Sequence, residues 1–169
     1  MRAKKFTAAI VLAAIAGIGF APLANAAVRP TTAQKLQLQY LIEEEKLARD
    51  VYLYLAANVT TAKFSNIAKS EQTHMDQIAA VLKTYNYFNP TTTRAAGVFR
   101  DKSLQALYNT LIAQGSVDVA AAMQVGRDIE NLDIKDLQVM LKSTMPADMK
   151  LALDNLLKGS YNHLAAFNR

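Results

Sequence analysis

The chain has 169 residues, of which 51% are apolar and 20% are charged, and it contains no cysteine. This composition is typical of a globular domain with a hydrophobic core, and without cysteine the sequence has no disulfide, thiolate metal site or cysteine nucleophile. The formal net charge is +5, but residues 1–26 hold three of the 19 basic residues and none of the 14 acidic ones. The rest of the chain is therefore nearly neutral, and we expect no nucleic-acid partner.

Residues 1–26 have the pattern of a secretory signal peptide. A basic start precedes an apolar run over residues 6–20, and residues 24–26 (Ala-Asn-Ala) fit the small-x-small cleavage site. A retained membrane anchor is the alternative, because the apolar run approaches the length that spans a bilayer. We expect cleavage after Ala26, a secreted or periplasmic protein without a stable membrane anchor, and a single domain over residues 27–169.

The remaining sequence has the periodicity of helices. Apolar residues recur at steps of three and four, and Leu, Ala, Glu and Lys dominate, which favours helices over strands. Residues 86–102 look like a connection, because they contain two asparagines, three threonines, a proline and a glycine. Four long helices with a long connection between the second and the third predict an all-α fold, a four-helix bundle. The predicted helices are 32–58, 65–85, a short one at 103–113, 116–141 and 146–167.

Local sequence signals predict where three of the helices start. Thr31 and Gln34 can form a capping box at the start of the first helix. Ser116 is the expected N-cap of the third long helix, and Pro146 suits the first position of the last helix. A break in the third long helix near residues 133–136 stays open at this point.

The sequence contains two histidines, and both lie on apolar stripes of predicted helices. His74 follows Glu71 by three residues on the second helix, so the carboxylate and the imidazole lie on one helical face and can share an ion. His163 lies on the stripe of the last helix. A single histidine on such a stripe is more often a core residue than a ligand. Two histidines, both in stripe positions, favour a metal site.

A run of three glutamates occupies residues 43–45 of the first helix. Glu44 and Glu45 lie on the two sides of the apolar stripe, so we expect at least one of them to be partly buried. A buried carboxylate needs a partner, which is either a metal ion or a basic residue on a neighbouring turn, Lys46 or Arg49. The sequence leaves open which of the two glutamates faces inward.

Glu130 is the candidate carboxylate of the third long helix. It follows Ile129 on that helix, and Gly126, one turn earlier, leaves room beside it. From these residues alone, a surface glutamate and a metal ligand are equally good interpretations.

Several of these segments resemble known families. Glu45-Lys-Leu-Ala-Arg-Asp-Val-Tyr52 looks like the first-helix motif of rubrerythrins and other ferritin-like di-iron proteins, and Phe64–His74 resembles their second helix. More broadly, residues 35–167 resemble an uncharacterised ferritin-like family, domain of unknown function 2202. The segments that carry this resemblance are Glu43–Tyr52, Phe64–Met75, Val125–Leu137 and Gly159–Phe167.

The resemblance implies a ferritin-like four-helix bundle with a metal site between its helices. Ser160 stands where the resemblance implies a sixth ligand, a glutamate. The site is then either mononuclear or a weaker dinuclear site in which water or Asp133 takes part. Iron is the expected metal, with manganese and zinc as alternatives. The implied metal ligands are Glu45, Glu71, His74, Glu130 and His163.

Three functions are compatible with this reasoning. A di-iron centre would permit oxidoreductase or peroxide-scavenging chemistry beside Tyr52 or Tyr161, with electrons from an external donor, because there is no cysteine for a rubredoxin-type iron. Metal binding or sequestration without turnover is the second. A helical interaction module that has lost its metal is the third. Catalysis, substrate and oligomeric state are not decided by the sequence.

Overall fold

The computed structural model describes residues 28–59 and 61–169, and every regular element within them is an α-helix. The prediction of an all-α fold is therefore confirmed for this part of the chain. The predicted signal peptide lies outside the described residues, so cleavage after Ala26 stays a prediction. None of the described helices is long and apolar enough to cross a membrane. The helices are α1 (Thr32–Asn58), α2 (Ala62–Thr84), α3 (Lys102–Gly115), α4 (Val119–Met140) and α5 (Ala147–Phe167).

The start of α1 is closed by the predicted capping box. The Thr31 hydroxyl accepts a hydrogen bond from the Gln34 N–H at 3.2 Å, and Gln34 Oε1 accepts one from the Thr31 N–H at 2.9 Å. Gln34 Nε2 also donates to the backbone carbonyl of Thr144 at 2.9 Å. One side chain therefore satisfies a free N–H at the start of α1 and fixes the turn between α4 and α5 against it.

Several predicted helix starts differ from the structure, and the first is α2, which begins at Ala62 and not at residue 65. α4 begins after Asp118, whose carboxylate accepts a hydrogen bond from the backbone N–H three residues later, whereas Ser116 ends α3. Both residue types are good caps, and the one that is used depends on where α3 stops. Pro146 precedes α5 with an extended backbone instead of occupying its first helical position. α4 runs without a break through residues 133–136.

Helix α1 lies against α2, α3 and α4, while α5 lies against α2 and α4. The buried apolar side chains form two clusters along these helices. The first includes Val51, Leu55, Phe64, Val125 and Phe167, and the second includes Leu38, Ile42, Ile78, Leu137 and Leu153. In each of α1, α2, α4 and α5, buried polar residues lie between the stretches that form the two clusters. They include all five candidate metal ligands of the sequence analysis, which are Glu45, Glu71, His74, Glu130 and His163.

The connection between α2 and α3 is held against α1 by charged side chains. The Glu43 carboxylate accepts hydrogen bonds from the backbone N–H groups of residues 100–101. Asp50 accepts one from the Gly97 N–H at 2.9 Å, and the buried Lys46 ammonium pairs with Asp50 and donates to a loop carbonyl at 2.8 Å. Glu43 and Asp50 therefore serve the loop and the start of α3.

Candidate metal centre

Glu71 lies between two imidazoles in the interior of the protein. Its Oε2 is 2.8 Å from His74 Nδ1, and its Oε1 is 2.9 Å from His163 Nδ1. His74 comes one helical turn after Glu71 on α2, whereas His163 comes from α5. One ligand atom from each of the three residues lies within 4.8 Å of the others, and the centroids of the two imidazole rings are 5.4 Å apart. These atoms are close enough to bind the same ion.

Two further carboxylates, from α1 and α4, complete the group. Glu45 Oε2 is 3.1 Å from His74 Nδ1, and Glu130 Oε2 is 3.5 Å from His163 Nδ1. The Tyr52 hydroxyl donates to Glu130 Oε1 at 2.7 Å. The three carboxylates are each only 2% exposed, and both histidines are buried. We call this group the Glu/His cluster; its members are Glu45, Glu71, His74, Glu130 and His163.

Several buried atoms of the Glu/His cluster have no hydrogen-bond partner among the described residues. They are Glu45 Oε1, Glu71 Oε1 and His163 Nδ1. Although Glu71 Oε1 and His163 Nδ1 are only 2.9 Å apart, their directions do not satisfy a hydrogen bond. Leaving a buried polar group unsatisfied costs about 1–3 kcal/mol. A cation bound among these atoms would satisfy them, and carboxylate with imidazole suits iron, manganese or zinc.

The far sides of the two imidazoles are also fixed. His163 Nε2 is 2.9 Å from the Ser70 hydroxyl oxygen, so an Nε2–H can donate there and leave the Nδ1 lone pair for a metal. His74 Nε2 lies against Gly159 of α5, where an added Cβ would be only 2.3 Å away. Sequence reasoning missed the roles of Ser70 and Gly159, because both depend on contacts between helices that periodicity does not reveal.

Burial and mutual contact shift the pKa of every member of the Glu/His cluster. Burial raises the pKa of Glu45 and of Glu130 to about 8. Burial also raises the pKa of Glu71, but contacts with His163 and His74 outweigh it and lower that pKa to about 2. Burial lowers the histidine pKa values, yet the neighbouring carboxylates outweigh it, so the pKa of His74 rises to about 11 and that of His163 to about 9. At neutral pH and without metal, both imidazoles of the cluster are thus protonated, and the carboxyls of Glu45 and Glu130 are protonated in most molecules.

Comparison with known proteins supports the family resemblance. Residues 34–169 match the family described as an uncharacterized protein domain, DUF2202. The chain belongs to the DUF2202 family. It is 45% identical over 127 residues to the uncharacterized protein MJ0754 of Methanocaldococcus jannaschii, a match that covers 75% of this chain and 69% of that protein. The crystal structure of hypothetical protein MJ0754 from Methanococcus jannaschii DSM 2661 is similar to this chain, with a TM-score of 0.80 and 42% sequence identity. The similarity covers 82% of this chain and 79% of that chain.

Ser160, which stands where the resemblance implies a sixth ligand, forms hydrogen bonds within the protein. Ser160 is fully buried, and its hydroxyl contacts Asp133 Oδ2 and the backbone carbonyl of Leu156. Burial raises the pKa of Asp133 well above its usual range. Asp133 lines the same cavity as Glu45 and Glu71. A carboxyl from α4 therefore lies beside the Glu/His cluster, held by the serine of α5.

Only one of the two tyrosines singled out by the sequence analysis lies beside the Glu/His cluster. The Tyr52 side chain is fully buried, and burial raises the pKa of its hydroxyl well above the usual range. Tyr161 is 46% exposed, and its hydroxyl accepts a hydrogen bond from Gln138 at 2.7 Å. Chemistry at the Glu/His cluster can therefore involve Tyr52, whereas Tyr161 belongs to the surface.

All three glutamates of residues 43–45 are buried, but only Glu45 contacts an imidazole. Glu44 faces α4, and burial raises its pKa to about 9. Of the two partners that the sequence left open for a buried glutamate, the basic residues are used elsewhere, because Lys46 and Arg49 both pair with Asp50. Both basic side chains are therefore paired with Asp50 of the same helix, which leaves Glu45 for another partner.

Proposed function

We propose that this DUF2202 protein binds a transition metal ion, with iron as the first choice and manganese or zinc as alternatives, through the five residues of the Glu/His cluster. The single observation that carries this proposal is the position of Glu71, whose two oxygens lie 2.8 and 2.9 Å from an Nδ1 of different histidines. If Glu71 only formed ion pairs with the two histidines, we would expect each pair to be hydrogen-bonded. Instead, Glu71 Oε1 and His163 Nδ1 have no hydrogen-bond partner among the described residues. A shared cation accounts for both the approach of the groups and the buried atoms without partners.

The helices that carry the ligands support a ferritin-like four-helix bundle. Such sites take one glutamate from each of two helices and a Glu-x-x-His pair from each of the others. Here α1 and α4 carry Glu45 and Glu130, and α2 carries the pair Glu71 and His74. The fourth helix, α5, carries His163 without the glutamate. In this proposal, α3 is an addition within the connection between α2 and α4.

When bound, a redox-active ion such as iron supplies one-electron and Lewis-acid chemistry. The residues of the chain hold and shield it. Tyr52 fixes one oxygen of Glu130 and leaves the other for the ion, and Ser70 orients the imidazole of His163. Both imidazoles and the protonated carboxyls must release their protons to become ligands, so metal binding releases protons.

Oxidoreductase or peroxide-scavenging activity is our first proposal for the role of the ion. Without cysteine in the sequence, the electrons would come from an external donor. Ser160, in place of a carboxylate ligand, favours a second candidate: binding or sequestering metal without turnover. If the predicted signal peptide is used, the protein meets its metal outside the cytoplasm.

Metal analysis of protein purified after expression of the full chain tests the proposal. With iron, manganese and zinc supplied, we expect one or two ions per chain in the wild type. The double variant His74→Ala/His163→Ala should hold none. Asp76→Asn is the matched control, because it removes an exposed carboxylate on the opposite side of α2 and should bind like the wild type.

Absence of metal from the wild type would overturn the proposal, as would equal metal in the double variant. If the wild type holds metal, a second measurement separates the two candidate functions. It is the consumption of peroxide or oxygen by the metal-loaded protein in the presence of a reductant. Turnover supports the oxidoreductase, and stoichiometric binding without turnover supports sequestration.

A further inference from the structure

A cavity of about 90 Å³ lies between α1, α3 and α4, beside the Glu/His cluster. The leucines of α3 give it an apolar wall, although α3 contributes no residue to the cluster itself. On the other side, carboxyl groups of α1, α2 and α4 line it. The apolar wall includes Leu47, Leu104, Leu107, Leu111 and Ile129, and the acidic side includes Glu45, Glu71, Glu130 and Asp133.

The lining of this cavity restricts the charge of a guest. No lysine, arginine or histidine is among the residues that line it. An anion would therefore face carboxyls without a cationic partner. An organic cation would find three of these carboxyls already in contact with the imidazoles of the Glu/His cluster. The volume is smaller than the roughly 150 Å³ of an apolar cavity that accepts benzene. A small uncharged molecule fits these conditions best.

Asp133 supplies the polar contact that such a guest would need. Its Oδ2 is hydrogen-bonded to Ser160, whereas its Oδ1 is buried and has no partner among the described residues. The Ser160 hydroxyl has a second acceptor in the Leu156 carbonyl at 2.9 Å, so a protonated Asp133 can donate from Oδ2 to the serine. In that arrangement, as in the ionised form, Oδ1 is left as an acceptor. Asp133 is not one of the five proposed ligands, so this acceptor stays available when those five residues bind a single ion. A guest with a hydroxyl group can donate to it.

We propose that this cavity binds a small uncharged alcohol, whose hydroxyl donates to Asp133 Oδ1 and whose alkyl part lies against the leucines of α3. The alcohol would be held beside the carboxylates of the Glu/His cluster. Its binding needs only the cavity, and its presentation to a metal ion rests on the proposed function.

Two isomers distinguish this proposal from nonspecific apolar binding. Ethanol and dimethyl ether have the same atoms and are clearly smaller than benzene, but only the alcohol donates a hydrogen bond. In titrations of metal-free protein, followed by NMR of the leucine methyl groups, we expect ethanol to bind roughly tenfold more tightly than the ether. Acetate and ethylammonium should bind more weakly than ethanol.

Three variants locate the binding. Asp133→Ala should bring the alcohol-to-ether ratio close to one. Leu107→Trp, which fills the cavity, should abolish binding of both isomers. Ala106→Trp adds the same side chain at an exposed neighbouring position of α3 that does not line the cavity, and it should bind like the wild type.

The comparison of the four probes on the wild type stands even if a variant fails to fold. Equal affinity for the alcohol and the ether would overturn the role of Asp133, and tight binding of acetate or ethylammonium would overturn the preference for an uncharged guest. No response to ethanol would overturn the proposal and mean that the cavity holds only water. Because the titrations use metal-free protein, failure of the cavity and failure of the metal site give separate results.

Discussion

The Tyr52 hydroxyl donates a hydrogen bond of 2.7 Å to Glu130 Oε1. This contact joins α1 to α4 beside the Glu/His cluster. It leaves Glu130 Oε2 facing the imidazole of His163. The tyrosine ring packs against two phenylalanines of the first apolar cluster. One side chain therefore connects the packing of the core to the orientation of a proposed ligand.

Removing this hydroxyl should weaken both the fold and metal binding while the aromatic ring keeps its packing. Tyr52→Phe keeps the ring but removes the hydrogen bond, so we expect a loss of about 1–2 kcal/mol in the free energy of unfolding and roughly tenfold weaker metal binding. Chemical denaturation and metal titration measure the two effects. Tyr161→Phe is the control, since that hydroxyl is at the surface. Equal effects of the two variants would contradict a role for Tyr52 in orienting Glu130.

Metal should raise the melting temperature, because an ion bound in the Glu/His cluster stabilises only the folded state. At a free metal concentration of 100 times Kd, the gain is about 2.7 kcal/mol, which corresponds to about 5–10 °C for a chain of this size. Differential scanning calorimetry with and without iron, manganese or zinc measures the shift. In the His74→Ala/His163→Ala variant, the same additions should leave the melting temperature unchanged. A similar shift in both proteins would mean that the metal binds elsewhere.

Without metal, stability should fall as the pH rises above about 5. The pKa values of Glu45 and Glu130 rise from 4.5 to about 8, and those of His74 and His163 rise from 6.5 to about 11 and about 9. The folded state therefore binds more protons than the unfolded state, so the free energy of unfolding decreases with pH. The carboxyls contribute to this decrease between about pH 4.5 and 8. The histidines contribute to it from pH 6.5 up to their folded-state pKa values of about 9 and about 11. Glu71, with its lowered pKa, acts only below pH 4.5.

Urea denaturation of metal-free protein at pH 5, 7 and 9 measures this dependence. Saturating metal should reduce or reverse the decline, because ligands bind the ion after losing their protons. Stability that stays constant or increases from pH 5 to pH 9 without metal would contradict the proposed protonation of the cluster.

Gly159 should be required by the imidazole that lies against it. A Cβ at this position would be 2.3 Å from His74 Nε2, so Gly159→Ala must displace the ring, and we expect at least tenfold weaker metal binding. In a His74→Ala background the clash is absent, and the same substitution should stabilise the protein by up to about 1 kcal/mol through its helix propensity. A double-mutant cycle measures this coupling. Independent effects of the two substitutions would show that Gly159 does not set the position of the imidazole.

Helical periodicity was sufficient to predict which side chains point inward. The stripes of α2 and α5 placed Glu71, His74 and His163 in the interior, and all three are buried there. The choice between Glu44 and Glu45 could not be made from sequence, because both flank the stripe of α1. It depends on how α1 is rotated against α2, which is a property of the whole packing.

Contacts between residues far apart in sequence were beyond this reasoning. Ser160 and Asp133 are 27 residues apart, and nothing in either helix alone indicates their hydrogen bond. The use of Lys46 is another case: its partners are Asp50 and a loop carbonyl 49 residues away. The loop had to be placed before the competing interpretation, neutralisation of a glutamate, could be rejected.

The position of the Glu/His cluster between two apolar clusters has a consequence for cooperativity. Each apolar cluster is a small core of its own, and the charged groups between them transmit little packing energy when no ion is present. The metal-free protein should therefore unfold locally at one end while the other end stays folded. Hydrogen exchange would then show two sets of amides with different opening free energies. A bound metal ion would link the four helices between the two apolar clusters. The amides of both clusters should then exchange with one common opening free energy.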